Sequence, residues 1–544
     1  MPVRMIQQSP SAYGYPLLIK QLIANIYEPD QEIVYRDKMT YTYKDMVKRI
    51  QKLANSLEGL GIEQGSTVAV MDWDSHRYLE CFFAVPMMGA VLHTINIRLS
   101  PEQLVYTVNH AEDDIILIHK DFLPLVEAVK DQLATVKQFI LIEDFEVAPP
   151  TTLEFAGEYE QLLAGASDQY EWPDFDENAM ATTFYTTGTT GLPKGVYFSH
   201  RQIFLHTLGI LNAMNSFRAQ LKVDSGDVYM PLTPMFHVHA WGLPYAMTMI
   251  GAKQVYPGRY EPETILKLAR DHKATYSHCV PTILHMLLNS PSAKDTNFEG
   301  WKITIGGAAL PKGMCIEGLK MGINIYSAYG MSETCPLMTQ ALLKPYMLDW
   351  PLEQQVDYRT KTGLPAPCVQ VRIVDPEGKE LPHDGKTAGE VVTRAPWLTQ
   401  GYLNNPEKSE ELWENGWLHT GDVGIIDELG YLQITDRIKD VIKTGGEWLS
   451  SLELESIISQ HKGVSEVAVV GIKDDRWGER PMALIVPRAG EQLTVKEIQT
   501  FMGAFVENGT IPKYGIPESI LFVDEIPKTS VGKIDKKEIR AQQG

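Results

Sequence analysis

Thr67-Val68-Ala69-Val70-Met71 is followed by Pro101–Asn109 and then by Ile115-Ile116-Leu117-Ile118. The outer two stretches are unbroken apolar or β-branched runs, and the middle one repeats apolar residues at helical spacing. Working outward, Phe139–Ile142, Ile303–Ile305 and Ile323–Tyr326 read as further strands, and Tyr43–Leu57 and Pro262–Arg270 as further helices. Strands alternating with helices predict an α/β fold with parallel sheets in αβα layers. From about Val369 the texture changes to short strands with Gly-rich turns, at Val369–Val374, Glu390–Thr393 and Tyr431–Thr435. After Arg437 a new unit begins: a helix at Leu452–Ser459, strands at Glu466–Val470 and Ala483–Val486, a helix at Val495–Val506 and a strand at Ser519–Val523. The expected organisation is a large domain over 1–436, with a β-rich subdomain at about 369–436, and a small α+β domain over 437–544.

The chain has 544 residues, more than one ordinary domain holds. Hydrophobic residues make up 44% and charged residues 22%, which are globular values. Lys plus Arg is 49 and Asp plus Glu is 69, a formal charge of −20. Such a surface repels phosphate backbones, and no basic patch overrides it, so nucleic acid is excluded as a partner. The five cysteines are far apart with no CxxC pair, which excludes a disulfide scaffold and a Cys-based zinc site and reads as reduced thiols in the cytoplasm. Met1–Tyr15 lacks the apolar core of a signal peptide. The most apolar run, Cys81–Leu92, contains Pro86 and Gly89 and falls short of the roughly 20 residues a bilayer requires, so no integral membrane segment is expected.

The densest chemical signal is Thr186-Thr187-Gly188-Thr189-Thr190-Gly191-Leu192-Pro193-Lys194-Gly195, directly after the apolar Phe184-Tyr185. Glycines let backbone N–H groups approach an anion, threonine hydroxyls add donors, and Lys194 adds a point charge. It is not a Walker A loop. Gly385-Lys386-Thr387 resembles the tail of one, but Glu380 stands where the first Gly belongs.

Residues 186–195 resemble the phosphate loop of the adenylate-forming superfamily, which includes acyl-CoA synthetases, firefly luciferase and peptide-synthetase adenylation domains. Further similar motifs follow in order. Gly306-Gly307-Ala308-Ala309 resembles the adenine-contacting turn and Tyr329-Gly330-Met331-Ser332-Glu333-Thr334 the YGxTE motif. Thr420-Gly421-Asp422 resembles the ribose motif, Asp436-Arg437-Ile438-Lys439-Asp440 the interdomain hinge, and Pro527–Lys533 the loop of the catalytic lysine. The resemblance covers essentially the whole chain. It implies ATP held by Thr187, Gly188, Thr189, Thr190, Lys194, Gly307, Ala308, Ala309, Tyr329, Gly330, Met331, Ser332, Asp422 and Arg437. It implies Mg²⁺ on Thr186 and Glu333. Each residue also has a plain reading: Tyr329 as a core ring, Glu333 and Asp422 as turn acids, Arg437 as an ion pair with Asp436 or Asp440, Lys533 as part of a solvated basic tail.

On the substrate side the resemblance sets His237 and Gly306 at the acyl carboxylate. It makes Trp241 similar to the gate residue of bacterial long-chain fatty-acyl-CoA synthetases; core packing is its plain alternative. His237 and His239 have no carboxylate or Cys near them in sequence, so they do not read as a metal pair. Gly446 and Trp448, after the hinge, would serve CoA, or simply form the turn before a helix capped by Ser450 or Ser451. Lys439 would be the hinge residue about which the C-terminal domain rotates between half-reactions, and Lys533 would neutralise charge at the reacting carboxylate and α-phosphate. The expectation is an ATP-, Mg²⁺- and CoA-dependent acyl-CoA ligase for medium- to long-chain fatty acids, and the resemblance to the long-chain branch implies a homodimer. Cyclic or aromatic acids, a carrier-protein acceptor, and an idle nucleotide or lipid binder are the alternatives.

Overall fold

The computed structural model describes residues 3–186, 192–216, 221–444, 447–474, 476–529 and 533–543. The side chains of Glu447, Trp448 and Gln543 fall outside that description. Among the described residues there are four sheets, the first with seven strands in the order Phe155–Glu158, Gln138–Ile142, Ile115–His119, Thr67–Met71, Val91–Thr94, Met180–Thr186, Lys194–Ser199. Its members run parallel except the last, which returns antiparallel with Thr186 opposite Lys194. A second sheet of nine strands runs from Leu364–Pro365 to Met39–Thr42. Its parallel centre includes Tyr276–Cys279, Lys302–Ile305 and Asn324–Gly330. The predicted α/β class and its parallel sheets are what the chain adopts.

The apolar run that the sequence offers near residue 81 becomes the helix His76–Met87, every residue of which is buried. It touches strands of both large sheets, Thr67–Met71 and Val91–Thr94 on one side and Glu32–Tyr35 on the other. Its large apolar side chains each contribute about 2 kcal/mol on burial. Its buried charges are paired, Arg77 with Asp144 at 2.7 Å and Glu80 with Arg49 at 2.7 Å. Among the described residues no helix is long and apolar enough to cross a membrane.

A third, antiparallel sheet holds Gln370–Val374, Gly389–Arg394, Trp417–Ile426, Trp413–Glu414 and Leu432–Arg437. The turn Ile438–Asp440 leads from Leu432–Arg437 to Ile442–Thr444, the first strand of a fourth sheet completed by Glu447–Leu449, Gly478–Pro487, Val464–Asp474 and Ser519–Phe522. Helices Ser451–Ile458 and Val495–Glu507 carry residues of that sheet's apolar core, including Leu454, Ile498 and Met502. Of the two serines considered as cap, Ser450 does the capping: its side chain accepts from Glu453 N at 3.1 Å.

Candidate active site

A cavity opens beyond the C-terminal ends of Lys302–Ile305 and Asn324–Gly330, where loops meet in open α/β sheets. Its lining includes Gly306, Gly307, Tyr329, Gly330, Met331 and Ser332 from these loops. His237 and Trp241 line it from a separate segment, and Lys533 reaches it from the far end of the chain. Ala308 and Ala309 are exposed just outside. Gly307 has φ +76°, and a Cβ there would lie 3.1 Å from Lys533 Cε. Only a residue without a side chain combines that backbone with so close an approach. Burial and the nearby Arg437 push the Lys533 amine down to about 8, while Asp422 and Glu333 oppose the shift.

His237 and Trp241 are carried by an unusual turn. Val238, His239, Ala240 and Trp241 have φ of +49°, +53°, +47° and +60°, followed by Gly242 at +74°. Left-handed backbone costs a residue with a Cβ roughly 1–2 kcal/mol. Tertiary contacts hold the turn. Thr182 Oγ1 lies 2.6 Å from His239 Nε2, and the His239 ring meets the faces of Phe82 and Phe184 edge-on. Thr94 Oγ1 donates to Phe236 O at 2.9 Å, and Met235 N donates to Asp74 Oδ1 at 2.9 Å. His239 is therefore an anchor in the core, whereas His237 faces the cavity, and the two are not a metal pair. Burial, with Lys533 and His239 near, brings His237 down to about 3, so its imidazole is neutral. The Trp241 indole lies against Gly306, where a Cβ would be 2.9 Å from Cη2, and 4.9 Å from the His278 ring.

Glu333 is buried, and the Tyr402 hydroxyl donates to its Oε1 at 2.8 Å. Tyr402 has no counterpart in the reading of the sequence. It belongs to a segment that stitches Glu333 to the hairpin around the Thr-rich loop: Thr399 N donates to Glu333 O at 2.9 Å, and Leu403 N to Gly195 O at 2.8 Å. Lys194 Nζ sits 4.6 Å from the centre of the Tyr402 ring. The only sequence cue was an aromatic between Gly401 and the helix at Pro406–Leu412, a pattern any turn shows. Thr186 ends its strand beside Lys194, while Thr187, Gly188, Thr189 and Thr190 lie outside the described residues, as does Gly446.

Asp422 is buried, accepts from the Tyr329 hydroxyl at 2.5 Å, and pairs with Arg437 Nε at 3.1 Å. Neither alternative partner of Arg437 takes it. Asp436 accepts from the N–H and hydroxyl of Ser451, both at 2.7 Å, and Asp440 pairs with Arg540 at 2.6 Å. Lys439 is exposed on the turn between these pairs, and partial burial followed by the charge of Arg437 lowers its amine.

These groups lie close together: the Lys533 amine lines the cavity with Tyr329, and the charges of Asp422 and Glu333 both act on it. The family model for AMP-binding enzymes matches residues 24–403, and the model for the AMP-binding enzyme C-terminal domain matches residues 453–533. The chain belongs to the AMP-binding enzyme family. Its activity is that of an AMP-forming acid–thiol ligase. It is 40% identical to a long-chain-fatty-acid–CoA ligase of Thermus thermophilus, across 92% of this chain and 90% of that one. It is 38% identical to a 3-methylmercaptopropionyl-CoA ligase of Ruegeria lacuscaerulensis, across 96% and 97%. Among solved structures, an ATP-bound MatB of Rhodopseudomonas palustris superposes with a TM-score of 0.80 at 26% identity, covering 96% and 98%.

Proposed function

We propose that this AMP-binding family member activates a medium- to long-chain fatty acid with ATP and passes the acyl group to CoA. The observation that carries this reading is the Lys533 amine in one cavity with His237, Gly307 and Tyr329, more than two hundred residues earlier in the chain. A carboxylate resists attack by a thiolate, so it is first joined to the α-phosphate of ATP with loss of pyrophosphate. CoA thiolate then attacks the acyl carbonyl and AMP leaves. Lys533 offsets the negative charge that builds as carboxylate and α-phosphate meet. Neutral His237 orients the carboxylate without competing for that charge, Asp422 takes the ribose hydroxyls, and Tyr329 stacks on the base. Thr186 to Lys194 and Ser332 surround the phosphates, Gly446 and Trp448 serve the pantetheine arm, and Lys439 is the hinge between units 1–436 and 437–544.

Mg²⁺ fits this oxygen-rich site, since one carboxylate plus substrate phosphates suffices for it. Among the described residues no group of three or more His, Cys, Asp or Glu could hold a metal. Glu333 and Thr186 would hold the ion, which would neutralise phosphate charge. Tyr402 fixes the Glu333 carboxylate through its Oε1. Tyr402→Phe is expected to slow pyrophosphate release about tenfold, the worth of one hydrogen bond to a charged group. The loss should be largest at limiting Mg²⁺, and an unchanged Mg²⁺ dependence would refute the role.

Apolar cavity residues Ile210, Met214, Val238, Leu243 and Leu337 support an alkyl chain. The Thermus relative named for long-chain fatty acids agrees with this choice. A short acid with a polar end is the second reading, because buried Gln340 also lines the cavity and its Oε1 has no hydrogen-bond partner among the described residues. The test is pyrophosphate release with ATP and Mg²⁺ over acids from acetate to palmitate, with 3-methylmercaptopropionate, benzoate and cyclohexanecarboxylate, each with and without CoA. Acid-dependent turnover that rises with CoA supports the ligase, and the preferred acid decides between the readings. Stoichiometric pyrophosphate indifferent to CoA would point to another acceptor.

The lowered Lys533 amine predicts a pH effect. The charged form is the useful one, and it is lost as pH rises through the amine's pKa, about 8 without ligands. ATP phosphates stabilise the charge and move that limb higher. Adenylation should therefore fall with rising pH on a limb above 8 that thioester formation from supplied acyl-adenylate lacks.

A further inference from the structure

The turn Gly306–Ala309, which receives Lys533, runs through Leu310 and Pro311 into the helix Lys312–Lys320. That helix touches the C-terminal unit at two places one turn apart. At Gly313 a Cβ would lie 2.6 Å from Ser459 O, 3.4 Å from the Ser459 carbonyl carbon and 3.7 Å from Gln460 Cα. All three atoms are backbone, so they cannot turn aside as a side chain would. At Glu317, Oε2 pairs with Arg488 Nη2 at 3.1 Å. Positions four apart share a helix face, so both contacts look the same way.

A third contact lies on the helix Pro281–Leu288. His285 Nε2 is 3.2 Å from Ser465 Oγ and 3.7 Å from Glu466 Oε1. Glu466 is also held by Lys528 Nζ at 3.0 Å. Lys528 stands at the base of the Lys533 loop, bridged to Ile534, with Thr529 N donating to Lys533 O at 2.7 Å. A chain of contacts therefore runs from the large unit, through His285, Glu466 and Lys528, to the loop that carries the amine.

We propose that Gly313, the Glu317–Arg488 pair and the His285–Glu466–Lys528 chain form a seat that positions Lys533 for adenylation. None of these residues lines the cavity, so they act through Lys533 and not on substrate. The proposal rests on the adenylating role of Lys533 given above. Ion pairs this exposed are individually weak, but Lys533 must be placed to within about 1 Å, and small misplacements of a reacting group are costly.

The test uses the full chain and measures two half-reactions separately. One is pyrophosphate release with ATP and the best acid of the panel. The other is acyl-CoA formation from the synthesised adenylate of that acid plus CoA, a step that does not use Lys533. Gly313→Ala is the informative variant, because Ala favours a helix more than Gly does. It should leave the unfolding midpoint no lower, slow adenylation about tenfold, and keep thioester formation within twofold of the unsubstituted protein. Arg488→Glu should slow adenylation roughly fivefold, and adding Glu317→Arg should restore it. In a Lys533→Ala background neither change should have a further effect.

Equal losses in both half-reactions, unchanged adenylation in Gly313→Ala, failure of the reversed pair to restore activity, or additive losses with Lys533→Ala would each overturn the seat. An unsubstituted protein that releases no pyrophosphate with any acid would overturn the adenylation reading and the seat with it. An active enzyme whose variants depart from the pattern above would overturn the seat alone.

Discussion

Lys533→Ala is expected to slow pyrophosphate release by two to three orders of magnitude, about 3–4 kcal/mol of transition-state stabilisation, as for loss of one preorganised charge donor. The amine is held inside the cavity, where Gly307 leaves room for its stem and burial lowers its pKa. A charge that is costly to keep there without substrate is the one that gains most when negative charge gathers beside it. Binding of ATP should change far less, because Asp422 and Tyr329, proposed above to hold the nucleotide, remain. Acyl-CoA formation from supplied acyl-adenylate should stay within about threefold, since the acyl–phosphate bond that Lys533 helps to form is already made before that step. Parallel assays of the two half-reactions decide the matter. A loss under tenfold in the first, or an equal loss in both, would remove Lys533 from the role given to it.

Gly330→Ala is expected to abolish activity by a different route. A Cβ at this position would lie 1.6 Å from Pro336 O and 2.6 Å from the Pro336 carbonyl carbon. Backbone must move, and overpacking of this severity costs about 3 kcal/mol or more. The strand Asn324–Gly330 pairs with Leu337–Gln340 through an irregular register at Tyr329 and Gly330, and Glu333 sits between the two strands. Opening that turn therefore moves Glu333 away from Tyr402. Both the denaturant midpoint and adenylation should drop sharply. Gly421→Ala supplies the contrast. Its φ is +68° but among the described residues nothing lies within 4 Å of a Cβ there, so only backbone strain of about 1 kcal/mol is expected. If Gly330→Ala unfolds no earlier than Gly421→Ala, the close approach to Pro336 is not limiting.

Much of this molecule is legible residue by residue. Thr67–Met71 and Ile115–His119 are strands because β-branched and apolar runs favour that backbone and enclosed sheets bury both faces. Tyr43–Gly59 is a helix because apolar residues recur on one face and Thr42 and Asp45 cap it reciprocally. These are local effects, acting over a few residues, and so they can be read along the chain. The same holds for the chemical types at the candidate site. Gly306, Gly307, Tyr329, Ser332, Asp422 and Lys533 stand in short patterns whose chemistry is plain before any fold is known.

What local patterns leave undetermined is which groups meet and in what state. His237 and His239 are two residues apart and chemically alike, yet one lines the cavity and the other is sealed in the core by Thr182, Phe82 and Phe184. The left-handed turn that separates them opposes the intrinsic preference of four residues, and only long-range packing offsets its cost. Tyr402 acquires its place on Glu333 because two loops cross there. Arg437 passes over its sequence neighbours Asp436 and Asp440 and takes Asp422, fifteen residues earlier, because an antiparallel register sets the two strands side by side. The sequence by itself determined the elements, their α/β class and the chemical inventory of the site, since those follow from propensities and periods of a few residues. Tertiary structure alone decided the ionisation of Lys533 and His237, the partner of Glu333 and the seat of the C-terminal unit. Burial and charge at a point depend on everything folded around it, however distant in the chain.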